Sequence, residues 1–429
     1  MQGTARGDWR TIHPWRRTVQ AALGILAFMF LAWLVSENRR VIDFRVIAAG
    51  LGLQFLLAAL LLKITMFRDL LLQLNSVVLM IEKATRAGTT FVFGYLGGGV
   101  LPFDVTGPPG SAYALAFRGL PIILFMSALS ALLFHWRILP AIVRGFSFVL
   151  RRSLGLGGAL GVGVAANIFI GMIEAPLMVR PYVQAMTHSE LFALMVSGMA
   201  TIAGTMIVLY ASILGPIIPG SLGHLIVASI ISAPASVLMA RLMVPETRDA
   251  TQGDIELPKA AGSMDAIARG ALDGLQLLLH VVALLIVLIA LVSLVNQLLD
   301  WLPAVGDAPL TLQRITGWLL APVAWLMGLP WKECHTAGSL LGTKVILNEF
   351  VAYMNMAGLD PAALSERSRI IMTYAMCGFA NLGSLGIMIG GMGSLAPERR
   401  SEIVALGFRS IYAGMLATAM TGAIVGILL

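Results

Sequence analysis

Charge is scarce in this chain. Lys, Arg, Asp and Glu make up 12% of its 429 residues, while 58% are hydrophobic. An ordinary soluble domain carries about twice that share of charge. A water-facing shell cannot be built on such a ratio, so the chain reads as an α-helical membrane protein. A β-barrel is excluded, because its strands alternate apolar and polar positions over about ten residues, and here the apolar residues come in long runs. Cysteine is nearly absent. Cys334 and Cys377 offer neither a disulfide framework nor a CxxC pair, and Cys377, beside a glycine in an apolar run, reads as a small packing residue. The histidines (His13, His135, His188, His224, His280, His335) are scattered, with no HExxH or other ligand spacing, so nothing supports a metalloenzyme. No phosphate-cradling GxxxxGK[ST] loop and no Ser/His/Asp arrangement is present, which removes ATP drive and intramembrane hydrolysis. The net charge of +7 comes largely from arginines set between apolar runs, as in cytoplasmic loops. No basic patch interleaved with aromatics occurs, and no nucleic acid is expected as a partner.

Runs long enough to cross a bilayer, about 20 residues each, occur at 19–36, 46–66, 119–140, 190–214, 222–244, 271–299, 367–392 and 403–428. The first run is followed by Glu37-Asn-Arg-Arg40 rather than by a small-residue cleavage site, so it reads as a spanning helix and not as a signal peptide. Arg39, Arg40, Arg45, Arg137, Arg144, Arg151, Arg152, Arg241, Arg248, Lys259, Arg269, Arg399, Arg400 and Arg409 all fall on one side of this arrangement. The opposite loop 212–223 has no basic residue. The positive-inside rule makes the basic side cytoplasmic. Arg6, Arg10, Arg16 and Arg17 in the N-terminal tail oppose that orientation and are balanced by Arg39, Arg40 and Arg45. The expected location is the cell inner membrane, as a multi-pass protein. Residues 69–85 have the pattern of an amphipathic helix at the interface, with a plain connecting loop as the alternative. They are followed by Gly97-Gly-Gly99 and Gly107-Pro-Pro-Gly110, and the stretch Pro245–Gly270 reads as a flexible polar loop.

Two segments do not fit the list of spans. Residues 154–182 are apolar but interrupted by eight glycines and prolines, among them Gly161, Gly171 and Pro176. Residues 316–355 are interrupted by Pro322, Gly328, Pro330, Gly338 and Gly342. Each is long enough for two short helices, and a re-entrant hairpin fits both; irregular backbone at membrane depth is tolerated only where protein or a cavity surrounds it. Each is followed by a span with its own polar break, Ala200-Thr-Ile-Ala-Gly-Thr205 and Cys377-Gly-Phe-Ala-Asn-Leu-Gly-Ser384. Paired interruptions in the two halves of a chain are the sequence mark of a transporter with inverted repeats and a midplane site.

Each broken segment carries one glutamate, Glu174 and Glu349. A carboxylate at membrane depth is costly and marks a polar cavity. Asn167 lies seven residues before Glu174, which on one continuous helix is about two turns and the same face. Asn348, Glu349, Asn381 and Ser384 add amide, carboxylate and hydroxyl groups, and Asn381 and Ser384 share a helix face. That inventory suits a neutral, hydroxyl-rich ligand, since an anionic one calls for Arg or Lys. Buried Asn and Ser also serve as glue between membrane helices. Lys344 reads as structural, either capping the hairpin or snorkelling outward, with a pairing to Glu349 as the alternative. Met372, Met376, Met388 and Met392 read as packing.

Gly342-Thr-Lys344 with Asn348-Glu-Phe-Val-Ala-Tyr353, Glu174-Ala-Pro-Leu-Met-Val-Arg-Pro-Tyr182 and Cys377-Gly-Phe-Ala-Asn381 resemble, in order, three signatures of the concentrative nucleoside transporters. Ser232-Ala-Pro-Ala235, Pro245-Glu-Thr247 and Ser394-Leu-Ala-Pro397 extend the resemblance over nearly the whole chain. It implies an all-α fold of the bacterial type, with about eight transmembrane helices, two opposed re-entrant hairpins and an inverted repeat. It further implies a homotrimer in which a transport domain moves past a scaffold. It implies nucleoside import driven by Na+ or H+, with no other cofactor and no enzymatic activity. By the same resemblance Glu349, Asn381 and Ser384 hold the ribose and Phe379 lines the pocket. Met172, Ile173 and Glu174 face the base, with Met206 opposite, and a sodium site uses Asn167, Ile170, residue 173, Thr201 and Ile202. Many relatives have Gly-Gln-Thr-Glu where this chain has Gly171-Met-Ile-Glu174. Met172 lacks the amide of a Gln and Ile173 lacks a hydroxyl for a hard cation, so a more apolar base pocket and a reduced sodium shell, or proton coupling, are expected.

The expected organisation is N-terminal helices, interfacial helix and scaffold over 1–140; first hairpin and broken helix of the transport domain over 141–244; a polar loop over 245–270; a scaffold helix over 271–314; and second hairpin, broken helix and last helix over 315–429. The scaffold would be formed by the N-terminal helices, the interfacial helix and the third and sixth spans. The functional expectation is a cation-coupled nucleoside symporter, its partners the nucleoside, the lipid bilayer and two further copies of the chain. The alternatives are a carrier of another ribosylated or base-like solute and a passive channel.

Overall fold

The computed structural model describes residues 14–41, 43–104, 113–253, 260–305 and 309–429. Arg6 and Arg10 of the N-terminal tail, the Gly107–Gly110 turn and Lys259 lie outside them. Nineteen α-helices follow one another among the described residues. The N-terminal part holds α1 (Pro14–Leu34), α2 (Phe44–Lys63) and α3 (Thr65–Phe93). A first series runs α4 (Leu115–Arg118), α5 (Ile122–His135), α6 (Ile138–Leu154), α7 (Gly158–Asn167), α8 (Glu174–Leu177), α9 (Arg180–Val183), α10 (His188–Ala200), α11 (Gly204–Leu214) and α12 (Ser221–Met243). A second runs α13 (Ser263–Leu299), α14 (Leu312–Leu326), α15 (Trp331–Ile346), α16 (Glu349–Ala357), α17 (Glu366–Met376), α18 (Leu382–Leu395) and α19 (Arg400–Leu428). The two series have the same plan: a spanning stretch (α4–α5 or α13), a shorter helix (α6 or α14), a hairpin, a helix broken in the middle, and a long closing helix. That is the inverted repeat of the all-α membrane fold.

Seven helical stretches among the described residues are long and apolar enough to cross a membrane. The eighth expected span, 367–392, is divided into α17 and α18, each too short to cross alone. The span 190–214 is divided in the same way, between Ala200 and Gly204. Span 119–140 stops at His135, because Arg137 takes a left-handed φ of 61° and turns the chain into α6. Span 271–299 begins eight residues early, at Ser263, so the polar loop expected to reach Gly270 is shorter. Part of that loop is also pinned: the Thr251 N–H donates to Glu190 Oε1 (3.0 Å) and the Thr251 hydroxyl to the Ala185 carbonyl (3.2 Å).

The amphipathic helix expected at 69–85 is longer than its pattern predicts and forms α3, which excludes the plain loop. Of the breaks expected in the second hairpin, Gly328 and Pro330 fall at a turn and the other three do not. Pro322, Gly338 and Gly342 lie inside continuous helices, and the chain turns at Met327–Pro330 and Leu347–Asn348. The hairpin is therefore α15–α16, and α14 is a separate helix packed along α15. The glycines are there for proximity: a Cβ on Gly338 would lie 2.8 Å from the backbone nitrogen of Ala321, so only hydrogen allows α14 and α15 to approach this closely.

Helices α10, α12 and α19 are buried over most of their length, whereas α13 shows Leu272, Leu279, Ile286, Val287 and Leu294 to the outside. α1 and α2 pack on α12 and α19, and α5 packs on α13. At the basic end, His188 stands between Glu402 (2.6 Å) and Glu37 (3.4 Å), and Arg409 pairs with the same Glu37. These groups tie the α1–α2 turn to the starts of α10 and α19.

The two broken helices meet backbone to backbone. The Phe379 N–H donates to the Thr201 carbonyl (3.3 Å), and a Cβ on Gly378 would lie 2.9 Å from the Met199 carbonyl oxygen and 3.0 Å from that of Ala200. Gly378→Ala therefore has to push the two breaks apart, at a cost of about 1–3 kcal/mol, and a clear drop in the melting temperature of the detergent-solubilised protein is expected. Gly386→Ala on α18, where the added methyl meets nothing within 4 Å, is the control and leaves the melting temperature unchanged or slightly raised. Equal melting of the two variants would refute the backbone contact.

Candidate functional site

The chain breaks bring the polar residues together. Asn348 is the N-cap of α16, its Oδ1 accepting from the Val351 N–H (2.9 Å). Asn381 is the N-cap of α18, its Oδ1 accepting from the Ser384 N–H (2.7 Å). Both side chains thus satisfy backbone donors that a broken helix exposes where no water can reach. Capping also orients Asn381: with the oxygen on the helix end, its Nδ2 points at Glu349 Oε2, 2.9 Å away. The other carboxylate oxygen, Oε1, accepts from the Tyr210 hydroxyl at 2.5 Å. Glu349 is the first residue of α16, so its carboxylate lies at the positive end of that helix, a favourable place for negative charge. It is 3% exposed, yet an ionised carboxylate offers about four acceptor positions, and two are used here. The remainder are available to donors from a ligand.

One cavity of about 100 Å³ is lined by Met172, Ile173, Glu174, Met206, Glu349, Phe379, Asn381 and Ser384, together with Tyr210 and apolar residues of α13 such as Leu284 and Leu288. All eight residues named for substrate contact in the sequence thus border one space. A second cavity of about 360 Å³ shares Gly171, Glu174 and Leu277 with it and extends to Asp273, Arg269 and His135 at the basic end. Glu174 stands at the junction, and its side chain is exposed to these spaces. Met172 packs against Gly198 and Ile173 against Gly391, so both are held by apolar neighbours as well as facing the cavity.

The helical-face argument for Asn167 and Glu174 fails. α7 ends at Asn167 and α8 begins at Glu174, with a turn between them. Asn167 is 1% exposed, and neither its Oδ1 nor its Nδ2 has a partner in the structure. Leaving a buried amide unpaired costs about 1–3 kcal/mol, so this place fits a bound ion. The neighbouring turn meets the first broken helix: the Gly204 N–H donates to the Phe169 carbonyl (3.0 Å). That contact sets the Ile170 turn beside Thr201 and Ile202. Among the described hydrogen bonds the Ile170 and Ile202 carbonyls receive no donor, and the Thr201 hydroxyl donates to Ser197 O (2.8 Å), keeping its lone pairs. These oxygens suit a hard cation.

Lys344 does not snorkel and forms no ion pair with Glu349. It is 1% exposed, and its Nζ donates to the Ala375 carbonyl and to the Thr418 hydroxyl, both at 2.9 Å. Ala375 is in the last turn of α17, so the ammonium caps the negative end of that half-helix, a different one from the hairpin expected to need it. Tyr210 and Asp273 were not singled out in the sequence. A lone Tyr in an apolar span looks like packing, and Asp273 had the marker used for the glutamates, a carboxylate in a spanning segment.

Opposed hairpins and crossed broken helices around a carboxylate-bearing cavity define a membrane transporter of the inverted-repeat class. The chain belongs to the concentrative nucleoside transporter family. It matches the Na+ dependent nucleoside transporter N-terminus over residues 23–96, a nucleoside recognition region over 116–217 and the Na+ dependent nucleoside transporter C-terminus over 224–426. It is 35% identical over 414 residues to the nucleoside permease NupC of Helicobacter pylori, covering 95% of this chain and 97% of that one. It is 32% identical over 425 residues to sodium/nucleoside cotransporter 1 of Rattus norvegicus, covering 94% of this chain and 63% of the rat protein. The fold matches CNTnw in an inward-facing substrate-bound state with a TM-score of 0.87 at 38% identity, over 95% of this chain and 98% of that one. An outward-facing variant of CNTnw matches with a TM-score of 0.88 at 36% identity, over 96% and 97%.

Tyr210→Phe removes one of the two groups that orient Glu349 without emptying space. A hydrogen bond of this kind contributes about 1–1.5 kcal/mol, so substrate KM is expected to rise roughly tenfold with melting temperature nearly unchanged. Unaltered KM in proteoliposome uptake would remove Tyr210 from the site.

Proposed function

We propose that the protein imports nucleosides across the inner membrane in symport with sodium. The observation that carries the reading is Glu349: a carboxylate held by Tyr210 and Asn381 (2.5 and 2.9 Å) with acceptor positions left over. Two vicinal ribose hydroxyls are the donors such a group would take, and the Ser384 hydroxyl beside it would add a further contact. The base would lie among Met172, Ile173, Met206, Phe379 and Glu174. Met172 and Ile173 give this end no amide or hydroxyl, so Glu174 would be its chief polar contact and discrimination between bases would be weak. Sodium is supported by the family description and by the buried, unpaired Asn167 amide. Proton coupling is the second reading, supported by Glu174 exposed at the cavity junction, with no ion pair among the described residues.

The hairpins and broken helices, within 141–244 and 315–429, would move as the transport domain. α1 and α2 pack on α12 and α19, so they would travel with it, leaving α3, α5 and α13 as scaffold. The apolar outer face of α13 would carry the trimer contact. Uptake of radiolabelled uridine into vesicles with separately imposed sodium and proton gradients tests the coupling: accumulation is expected with the sodium gradient alone. Accumulation with the proton gradient alone selects the second reading, and equilibration without accumulation under either would sink active transport. For Glu349→Gln, loss of two charge-assisted hydrogen bonds costs about 3 kcal/mol or more, so kcat/KM should fall at least about 100-fold. Wild-type uptake by this variant would remove Glu349 from substrate binding.

A further inference from the structure

A second buried polar group near Asn167 has no partner. The Ser197 hydroxyl is fully buried on α10 and forms no hydrogen bond. Its position follows from the register of α7 and α10. A Cβ on Gly157, at the start of α7, would lie 2.7 Å from Glu190 Oε1. One on Gly163 would lie 2.6 Å from Leu194 Cδ1, and beyond the end of α7 the Cβ of Met172 lies 2.8 Å from the position a Cβ on Gly198 would take. The two helices therefore run side by side in the same direction. Glu190, Leu194, Ser197 and Thr201 are spaced by four, three and four residues, which is one face of a helix. Glu190 and Leu194 on that face meet α7. Asn167 is four residues beyond Gly163 and so lies on the α7 face that meets Leu194, one turn on. The same advance along α10 reaches Ser197.

We propose that the Ser197 hydroxyl is an oxygen ligand of the coupling cation, held between α7 and α10 with Asn167 and Thr201. One ligand that binds both would satisfy the two buried side chains left unpaired at one level of this helix pair. A hard cation is the ligand for an amide oxygen and a hydroxyl. The Thr201 hydroxyl gives its proton to the Ser197 carbonyl (2.8 Å), which turns its lone pairs toward the same space. Ser197 also supplies what Ile173 lacks. The Ile173 side chain packs on Gly391 of α18 and has no oxygen to give. The oxygen missing from the hairpin is replaced by one on the facing helix.

This inference rests on sodium as the coupling ion, and its test separates the two. Wild type, Ser197→Ala and Ser197→Thr are purified in detergent, and their melting temperatures are measured against sodium concentration at constant ionic strength with choline as replacement. Uridine uptake by proteoliposomes is measured over the same range. In Ser197→Ala the sodium concentration giving half the maximal stabilisation and half-maximal uptake should rise about tenfold, with uridine KM at saturating sodium within twofold of wild type. Ser197→Thr keeps the hydroxyl and should stay within threefold. In sodium-free buffer Ser197→Ala should melt no lower than wild type, because it removes a hydroxyl that is unpaired there; lower melting in that buffer would indicate a packing role and overturn the proposal. If Ser197→Ala does not fold, Ser197→Cys, similar in volume with a poor sodium ligand, is held to the same expectation. A sodium response in wild type that is unchanged in these variants overturns the Ser197 assignment alone. A wild-type protein indifferent to sodium in both measurements overturns the assignment and sodium coupling together.

Discussion

A helix broken inside a membrane strands backbone donors and acceptors where no water can satisfy them, and the architecture around this site is organised by that constraint. α16 and α18 begin in the interior, and α17 ends there. Asn348 and Asn381 cap the two starts, and Lys344 caps the end. The half-helices point their positive ends at the cavity, so the same breaks that create the problem supply the field that favours a carboxylate at Glu349.

Several residues consequently serve structure and recognition at once. Asn381 caps α18 with its oxygen and holds Glu349 with its nitrogen; removing it would disturb both. Glycine has the corresponding role in the backbone. Gly378 and Gly204 let the two breaks and the first hairpin approach to distances that a methyl group would prevent. The Glu349 end of the cavity is thus determined by backbone satisfaction. Met172 and Ile173, at another part of the same cavity, are held by apolar packing alone, against Gly198 and Gly391.

Much of this was legible in the residues. Long apolar runs and scarce charge define spans because a bilayer core demands about 20 apolar residues. Intramembrane glutamates and paired interruptions point to the cavity for the same energetic reason. Other features were not legible. Pro322, Gly338 and Gly342 looked like breaks, yet they lie in continuous helices, since glycine marks close approach as readily as a turn. Asn167 and Glu174 looked like neighbours on one helix, and a turn separates them. Lys344 was read by its length and charge alone, and its partners Ala375 and Thr418 lie 31 and 74 residues away.

The sequence by itself determined the class of protein, most of the spans, the two broken pairs and most of the polar residues of the cavity, because hydropathy and the cost of isolated polar groups are local properties. The tertiary structure alone decided which carbonyl Lys344 caps, that Tyr210 holds Glu349, and that Asn167 and Ser197 are buried without a partner. Those facts depend on the register between helices, and register is set by packing between residues far apart in the chain.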